Sequence, residues 1–469
     1  MDNLNQKSLK KRVIHSGMFS IAGHVISQGI RLGGNLISTR LLMPEMFGVM
    51  AIANIFFIGI TMFSDLGIRQ NIVQSSRGDD PIFLNSAWSL QIIRGVLLGV
   101  IVLLLSAVLY FAGQSGWLPK DSVYANKLLP LIIAVLSLTP LIGGLESTKM
   151  ATARRHLAIG YVTVVDVFSQ AAGPVVIIAW CYFDRSVWAL VAGWFAVSLT
   201  RMILSHLVLP GINNKLGWDR TSLKELYGFG KWIFLSSILG FLLTNGDRLI
   251  FGAYLNASQL GIYSIAFLMV SAIEGLLRKL IGNISFPALS EIYRKEPERF
   301  SKSYYRFRLP IDLLSLFLVG MVFSGGQAII DLLYDYRFRD AGWMLEILVV
   351  SLFFSRYEVA GICYLVLGKP KLLTIINLLR VFGVYVFVPI ALENFGLEWA
   401  IWVVAANYLI ALPVMFYFNS VNGLFSFKNE VKVLPVLLFG FIFGHFLSYA
   451  LGELLILIKN TENLSQFII

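Results

Sequence analysis

Four polar side chains near the N-terminus, His24, Gln28, Arg31 and Asn35, recur at spacings of four, three and four. On a helix that spacing puts them on one face as a single stripe. Three further arginines, Arg94, Arg356 and Arg380, stand inside apolar runs, as do three acids, Asp166, Glu274 and Glu358. Arginine suits anion binding because its planar fork donates two hydrogen bonds at once to a phosphate or carboxylate. A carboxylate held away from water takes up a proton more readily and can act as a proton relay or Na⁺ ligand. The stretch "TNGDRLIFG" adds Asp247 and Arg248 near the end of another apolar run.

Each feature also has a plainer reading. Polar side chains on membrane helices act as interhelical glue. Four on one face exceed what packing needs, so the stripe is expected to face a lumen. Glu274 and Arg278 are four apart, the spacing of a simple salt bridge. Arg278 and Lys279 are expected to snorkel at the inner interface. Glu358 follows Arg356 by two and cannot pair with it on one face, which leaves its partner open. Asp65 in "FSDLG" reads as a local structural residue at a helix end.

The elements that must position these groups follow from composition. The chain has 469 residues, 57% hydrophobic and 14% charged, with a mean hydropathy of +0.75. So few charges cannot cover a soluble protein of this size. The apolar runs are continuous and about 20 residues long, enough for a helix to cross ~30 Å of hydrocarbon, and they lack the alternation of a β-barrel. The fold class is therefore an all-α polytopic membrane protein of about 12–14 transmembrane helices. The polar, basic start "MDNLNQKSLKKR" leads straight into a full-length apolar segment, unlike a cleavable signal peptide. Cys181 and Cys363 suggest neither a disulfide framework nor a metal site.

Thirteen spans are expected, at roughly 17–41, 47–68, 86–112, 127–150, 158–182, 186–209, 230–254, 261–285, 309–333, 342–367, 372–392, 396–418 and 433–458. With the N-terminus cytoplasmic, 23 Lys and Arg fall in inside segments and 7 in outside segments. The positive-inside bias supports that orientation. It also accounts for most of the +11 net charge without a nucleic acid partner. Eight basic residues remain within the spans. Each costs roughly 2.5–3.5 kcal/mol at a lipid-facing helix centre, so several must face protein or water, or snorkel.

The chain carries an internal repeat. "FGVMAIA" at 47–53 resembles "LGIYSIA" at 260–266, and "VWALVAG" at 187–193 resembles "EWAIWVV" at 398–404, at offsets of 213 and 211. Glu146 and Glu358 differ by 212. Two related six-helix lobes are expected, 1–210 and 230–418, around a central cavity, with a cytoplasmic linker at 211–229 and an additional segment and tail at 419–469. Six is even, so the repeat is parallel, an arrangement suited to alternating access.

"STRLLMPEMFGVMAIANIFFIGITMFSDLGIRQNIVQ" (38–74) resembles the opening hairpin of the polysaccharide transporter family, the Wzx-type flippases. That family belongs to the multidrug/oligosaccharidyl-lipid/polysaccharide exporter superfamily. "GDRLIFGAYLNASQLGIY" (246–263) is similar to its second-half opening, "SFPALSEI" (285–292) to its F-P-x-L-S element, and "LGKPKLL" (367–373) to its G-K/R-P loop. The resemblance runs to about residue 418 and is least in the C-terminal part. It implies a bacterial inner-membrane protein that moves undecaprenyl-pyrophosphate-linked oligosaccharide to the outer leaflet. The product feeds O-antigen, capsule or exopolysaccharide synthesis. It also implies coupling to a proton or sodium gradient, no other cofactor, and a polymerase and chain-length proteins as pathway partners.

An anionic, hydrated pyrophosphate needs a cationic groove, and the arginines become its candidate contacts. Arg31 lies about 22 Å of helix rise from Ser16, and Arg94 and Arg380 roughly 13 Å in from the cytoplasmic ends of their spans. Substrate binding is expected of Arg31, Asn35, Gln28, His24, Arg94, Arg356 and Arg380. Gating or coupling is expected of Asp247, Arg248, Glu358, Glu274 and Asp166. Asp247 stands about 24 Å along its helix from Lys231, near the outer interface. There a gate or structural pin suits it better than head-group binding. Rival readings are a peptidoglycan-precursor flippase or a drug/cation antiporter of the same superfamily, or a membrane glycosyltransferase. A cation exporter calls for an acidic, aromatic lumen, whereas bases outnumber acids here. No Walker motif and no sizeable extramembrane domain speak for an enzyme.

Overall fold

The structure is a computed structural model and describes residues 2–63, 67–281 and 285–466. Asp65 lies outside the described residues. Those described form helices and connections, with no strand among them. In hydrocarbon every backbone N–H and C=O must be satisfied within the chain, and a helix does this within one segment. The result is a multi-pass membrane protein. Among the described residues nine helices are long and apolar enough to cross a membrane, and a tenth span is bent by 54° at a break. The segments expected at 17–41, 230–254 and 396–418 are helical as well.

The chain divides into two compact units, Met1–Gly261 and Ile262–Ile469. Unit 1 holds α1 (Asp2–Leu41), α2 (Pro44–Phe63), α3 (Ile68–Gln74), α4 (Pro81–Gln114), α5 (Leu128–Leu136), α6 (Leu138–Gly144), α7 (Lys149–Arg155), α8 (Ile159–Phe183), α9 (Trp188–Leu207) and α10 (Arg220–Tyr254). The helix α11 (Ala257–Leu280) begins in unit 1 and continues into unit 2. Unit 2 goes on with α12 (Phe286–Lys295), α13 (Phe300–Leu333), α14 (Ala341–Leu348), α15 (Ser351–Ser355), α16 (Glu358–Val366), α17 (Pro370–Phe395), α18 (Leu397–Ala405), α19 (Leu412–Val421), α20 (Phe427–Lys432) and α21 (Pro435–Gln466).

The boundary of unit 1 therefore falls 32 residues beyond the end of the expected linker. Two things move it. First, α10 packs on α2. Gly252 sits against Ile52 and Tyr124, and the Tyr124 hydroxyl donates to the Leu249 carbonyl at 2.8 Å. Second, the stretch expected as a linker is a strap. Lys215 N donates to Asn85 Oδ1 at 2.9 Å, Gly217 N to Ser89 Oγ at 2.9 Å and Asp219 N to Ser86 Oγ at 3.0 Å, all on α4. Asn213 and Asn214 hold the α6–α7 break through the Lys149 ammonium and the Ser147 hydroxyl. Asp219 then caps α10 by accepting from Ser222 N at 2.9 Å. Hydrogen bonds from the Ser222 and Thr221 hydroxyls hold its carboxyl well below the usual carboxylate range.

Lipid offers helices no hydrophobic reason to associate, so small residues that allow close backbone contact do much of the packing. A Cβ built on Gly48 of α2 would lie 1.8 Å from the Ala257 carbonyl oxygen, and one on Gly261 would lie 1.9 Å from that of Pro44. These glycines are equivalent positions of the internal repeat. In unit 2, α21 runs along α13 on a glycine seam. A Cβ on Gly440 would meet the Phe317 carbonyl oxygen at 2.2 Å, and one on Gly320 would meet that of Leu437 at 2.2 Å. The outer face of α21 presents Leu438, Phe439, Ile442 and Phe446, each well exposed, as a lipid-facing surface requires. The C-terminal segment is thus packed into unit 2.

A second device ties that segment down. Arg308 of α13 is fully buried and donates through Nη1 and Nη2 to the two oxygens of Glu430 on α20, each at 2.6 Å. Its Nε donates to Asp312 Oδ1 at 3.0 Å. Arg356, between α15 and α16, also donates to Glu430 and lies 3.8 Å from Asp312. The Tyr357 and Tyr305 hydroxyls reach Glu430 at 3.2 Å each. Two guanidiniums thus face two carboxylates out of water, and the bidentate fork supplies the directionality that such pairs need.

Two outcomes follow for purified protein. Gly440→Leu or Gly48→Val should cost about 1–3 kcal/mol in thermal unfolding, because backbone must move, while Gly452→Leu, where nothing lies within 4 Å, should be neutral. Glu430→Ala should cost about 3–5 kcal/mol by stranding two buried arginines. Replacing Arg308, Arg356, Asp312 and Glu430 together by apolar residues should restore most of that loss in the same assay.

Candidate functional site

Unit 2 holds a small polar pocket where α11, α15 to α18 and the short 3₁₀ turn Asn407–Ile410 meet. Three expected site residues line it: Glu274, Glu358 and Arg380. Glu274 and Arg278 are one turn apart on α11, which fixes their common face. Glu358 opens α16 directly after the break that follows α15. Arg278 bridges the acids, 3.4 Å from Glu274 and 3.2 Å from Glu358. The expected Glu274–Arg278 pair is present, and the open partner of Glu358 is the same arginine. The Ser351 hydroxyl reaches Glu274 Oε1 at 3.3 Å.

Arg380 of α17 is held differently. Its guanidinium carbon lies 4.4 Å from the centre of the Tyr408 ring, and its Nε donates to Asn407 Oδ1 at 3.4 Å. Among the described residues it makes no ion pair. A ring face orients a cation without neutralising it. The pocket volume is about 40 Å³, room for a few waters at roughly 10–15 Å³ each. That suits water, a small ion or the edge of a phosphate, and excludes a sugar ring.

Unit 1 carries a comparable cluster at its own helix break. Glu146 lies between α6 and α7 and is buried. Its Oε2 accepts from Arg69 at 2.9 Å and from Arg201 at 3.3 Å. Arg201 also donates to Asp166 Oδ1 at 2.6 Å. Asp166 thus sits in a four-residue network drawn from α3, the break, α8 and α9.

The other expected residues are placed as follows. Arg356 is committed to Glu430 inside unit 2 and is 1% exposed. Arg94 donates to the Thr61 carbonyl at 2.8 Å, in the last turn of α2, where a cation suits the helix end. Asp247 is buried on α10, and its nearest approach to Arg248 is 3.9 Å, too long for a hydrogen bond. Arg248 instead bonds its own helix, at the Thr244 carbonyl and at Asn245 Oδ1, 3.1 and 2.8 Å away.

On α1 the seam to α8 is built by Gly23 against Thr163 and Gly34 against Pro174. The stripe is one residue further round, with Arg31 exposed and His24, Gln28 and Asn35 half-buried. Arg31 makes no ion pair among the described residues. The side chain of Lys279 lies outside those described.

Sequence reasoning passed over Arg69, Arg201, Arg308, Glu430, Asn407 and Tyr408 as site residues. Glu146 carried a signal as the repeat mate of Glu358. The others are joined across helices to partners 27 to 122 residues away, and only the Arg308–Asp312 pair has a local spacing that could have marked it.

Comparison with known proteins bears on the whole chain. The lipopolysaccharide biosynthesis protein WzxC of Escherichia coli (strain K12) is 21% identical over 459 residues, covering 96% of this chain and 89% of that protein. The putative O-antigen transporter of Shigella flexneri is 22% identical over 416 residues, 85% of this chain and 96% of that protein. Among solved structures, a lipid II flippase MurJ in an inward closed conformation aligns with a TM-score of 0.69 at 13% identity, covering 97% of this chain and 100% of that one, a likeness of fold. Residues 37–341 match the family described as polysaccharide biosynthesis protein. That match spans well over half of the 469 residues and includes the motifs at 38–74, 246–263 and 285–292, and the chain belongs to the polysaccharide biosynthesis protein family.

Proposed function

We propose that this chain is a polysaccharide transporter that flips a polyprenyl-pyrophosphate-linked oligosaccharide across a bacterial inner membrane by alternating access, with its N-terminus in the cytoplasm. The observation that carries the reading is a pair of arginines within spans, Arg31 and Arg380, that have no carboxylate partner among the described residues. A guanidinium that no carboxylate contacts carries a cost, roughly 2.5–3.5 kcal/mol at a lipid-facing helix centre, which a binding role for an anion explains. The pyrophosphate is such an anion, and the isoprenoid tail stays in lipid. The acids of the two clusters are engaged by bases: Glu146, Asp166, Glu274 and Glu358 each contact an arginine. The family and the names of the two relatives agree with a glycan substrate.

Coupling follows from charge balance. Glu274 and Glu358 offset Arg278 and Arg380 in one pocket. When a phosphate takes Arg380, two carboxylates remain against Arg278, and a proton or Na⁺ relieves the imbalance. Occupancy of the anion site is thereby linked to uptake of an ion. The pocket is too small for sugars, so the glycan lies outside it and its identity is read elsewhere. Asp247 and Arg248 act as a structural pin on α10.

In cells lacking the native protein, Arg380→Ala or Arg31→Ala should abolish polymer export at normal membrane abundance, and Arg380→Lys should retain part of it because charge is kept without the fork. Wild-type polymer levels from both alanine variants would remove these residues from anion binding. Glu358→Gln should flatten the dependence of transport on an imposed proton or sodium gradient in vesicles. An unchanged dependence would take Glu358 out of the coupling step.

A further inference from the structure

A separate cleft of about 620 Å³ lies between α11, α12 and α13. That volume falls in the ~300–1,000 Å³ range of pockets that bury an organic ligand. Leu277, Ile292, Phe307 and Leu314 make its apolar wall, and Ser303 and Arg306 supply the polar groups at its edge. It contains no residue of the pocket around Arg380.

Three observations describe the occupant. The first is charge. Neighbouring bases on this face are spoken for, Lys295 by Glu291 and Arg299 by Glu296, each at 2.6 Å. Lys302 and Arg306 are exposed and make no ion pair among the described residues. They are four apart on α13, so they share the face that carries the cleft edge. The second is location. On α12, Leu289 is fully buried while Glu291, Arg294 and Lys295 are exposed. An amphipathic helix of that kind lies at the level of lipid head groups. The third is the backbone. Pro310, within α13, lines the cleft and has no N–H, so at that point of the helix the wall presents an apolar ring in place of a donor.

We propose that this cleft binds an anionic phospholipid of the surrounding bilayer. The phosphate sits on Lys302 and Arg306 and an acyl chain lies in the apolar cleft. A free phosphate would leave the apolar wall unused, and a zwitterionic lipid would leave the two cations uncompensated. The proposal is independent of the transport reading, because neither Lys302 nor Arg306 belongs to the anion site there.

The test is native mass spectrometry of the full chain, titrated with phosphatidylglycerol, phosphatidylcholine or undecaprenyl phosphate. Phosphatidylglycerol should bind in preference to phosphatidylcholine, and Arg306→Glu should weaken it about fivefold or more, as expected for a basic residue near an anionic lipid. Arg306→Lys should restore most of the binding. Leu314→Trp, which fills the cleft and leaves both charges in place, should weaken it too. Equal binding of the two phospholipids, or no effect of Arg306→Glu, would overturn the proposal. Tighter, Arg306-dependent binding of undecaprenyl phosphate would also overturn it and give the cleft to an isoprenoid phosphate. Arg306 is exposed, so the variant folds, and unchanged thermal unfolding checks this.

Discussion

A charge carried into hydrocarbon must find its counter-charge within the same fold, and much of this structure is arranged around that requirement. Water is absent to solvate an arginine, so each one either meets a carboxylate, caps a helix end, or remains as an unrelieved cost. Arg308 and Arg356 meet Glu430, Arg201 and Arg69 meet Glu146, and Arg278 meets two acids. These pairings join helices that are distant in sequence. Arg308 and Glu430 are 122 residues apart, and their bidentate contact fixes where the chain must pass before α21 begins. Ion pairing here acts mainly as a register device: lipid-facing apolar surfaces carry no information about which helix should lie beside which.

Glycine provides the rest of that information. Where α21 lies along α13, and where α2 meets the start of α11, backbone approaches backbone so closely that any Cβ would overlap a carbonyl oxygen. The close approach gains van der Waals contact that bulkier residues forbid, and it leaves the outer faces free to be uniformly apolar. The same logic explains why the C-terminal segment, the part least similar to the expected family pattern, is nonetheless integral to unit 2. It is held by glycines on one side and by Glu430 just before it.

Much of the fold was legible because a span announces itself by length and continuity of apolar residues. Each expected span coincides with helix in the structure, even where it is broken, as between Gly144 and Lys149. The break was not legible. The polar run "LESTK" (145–149) reads equally well as the end of a helix, and only the bonds from Asn213 and Asn214 show that it is stabilised as a bend. The contacts of the linker were not legible for the same reason: its residues are polar, as a tether's would be, but their acceptors stand on α4, about 130 residues earlier. For the site, residue type was informative and partnership was not. Arg356 and Arg380 look alike in sequence. One is buried between two carboxylates and the other faces an aromatic ring and an amide, a difference set by Glu430, Tyr408 and Asn407 on later segments.

The two helix breaks make this contrast most clearly. Glu146 and Glu358 are repeat mates, and each stands at a discontinuity in its span. In unit 1 one oxygen of the carboxylate receives two guanidiniums, and a second acid, Asp166, completes a network of two acids and two bases, each in direct contact. In unit 2 one guanidinium is shared by two acids, and the other positive group, Arg380, is turned onto Tyr408. A network in which every charge has a direct partner resists a change of protonation or ligand, because any change leaves a charge without its counterpart. A shared and incomplete one tolerates such a change, since Arg278 can favour either acid and Arg380 is already without a carboxylate. If the repeat arose by duplication, the same break has been stiffened in one unit and left responsive in the other. On that argument the Glu146 cluster serves to hold α3, α8 and α9 together, while the charges at the unit 2 break can be rearranged without leaving either acid far from Arg278.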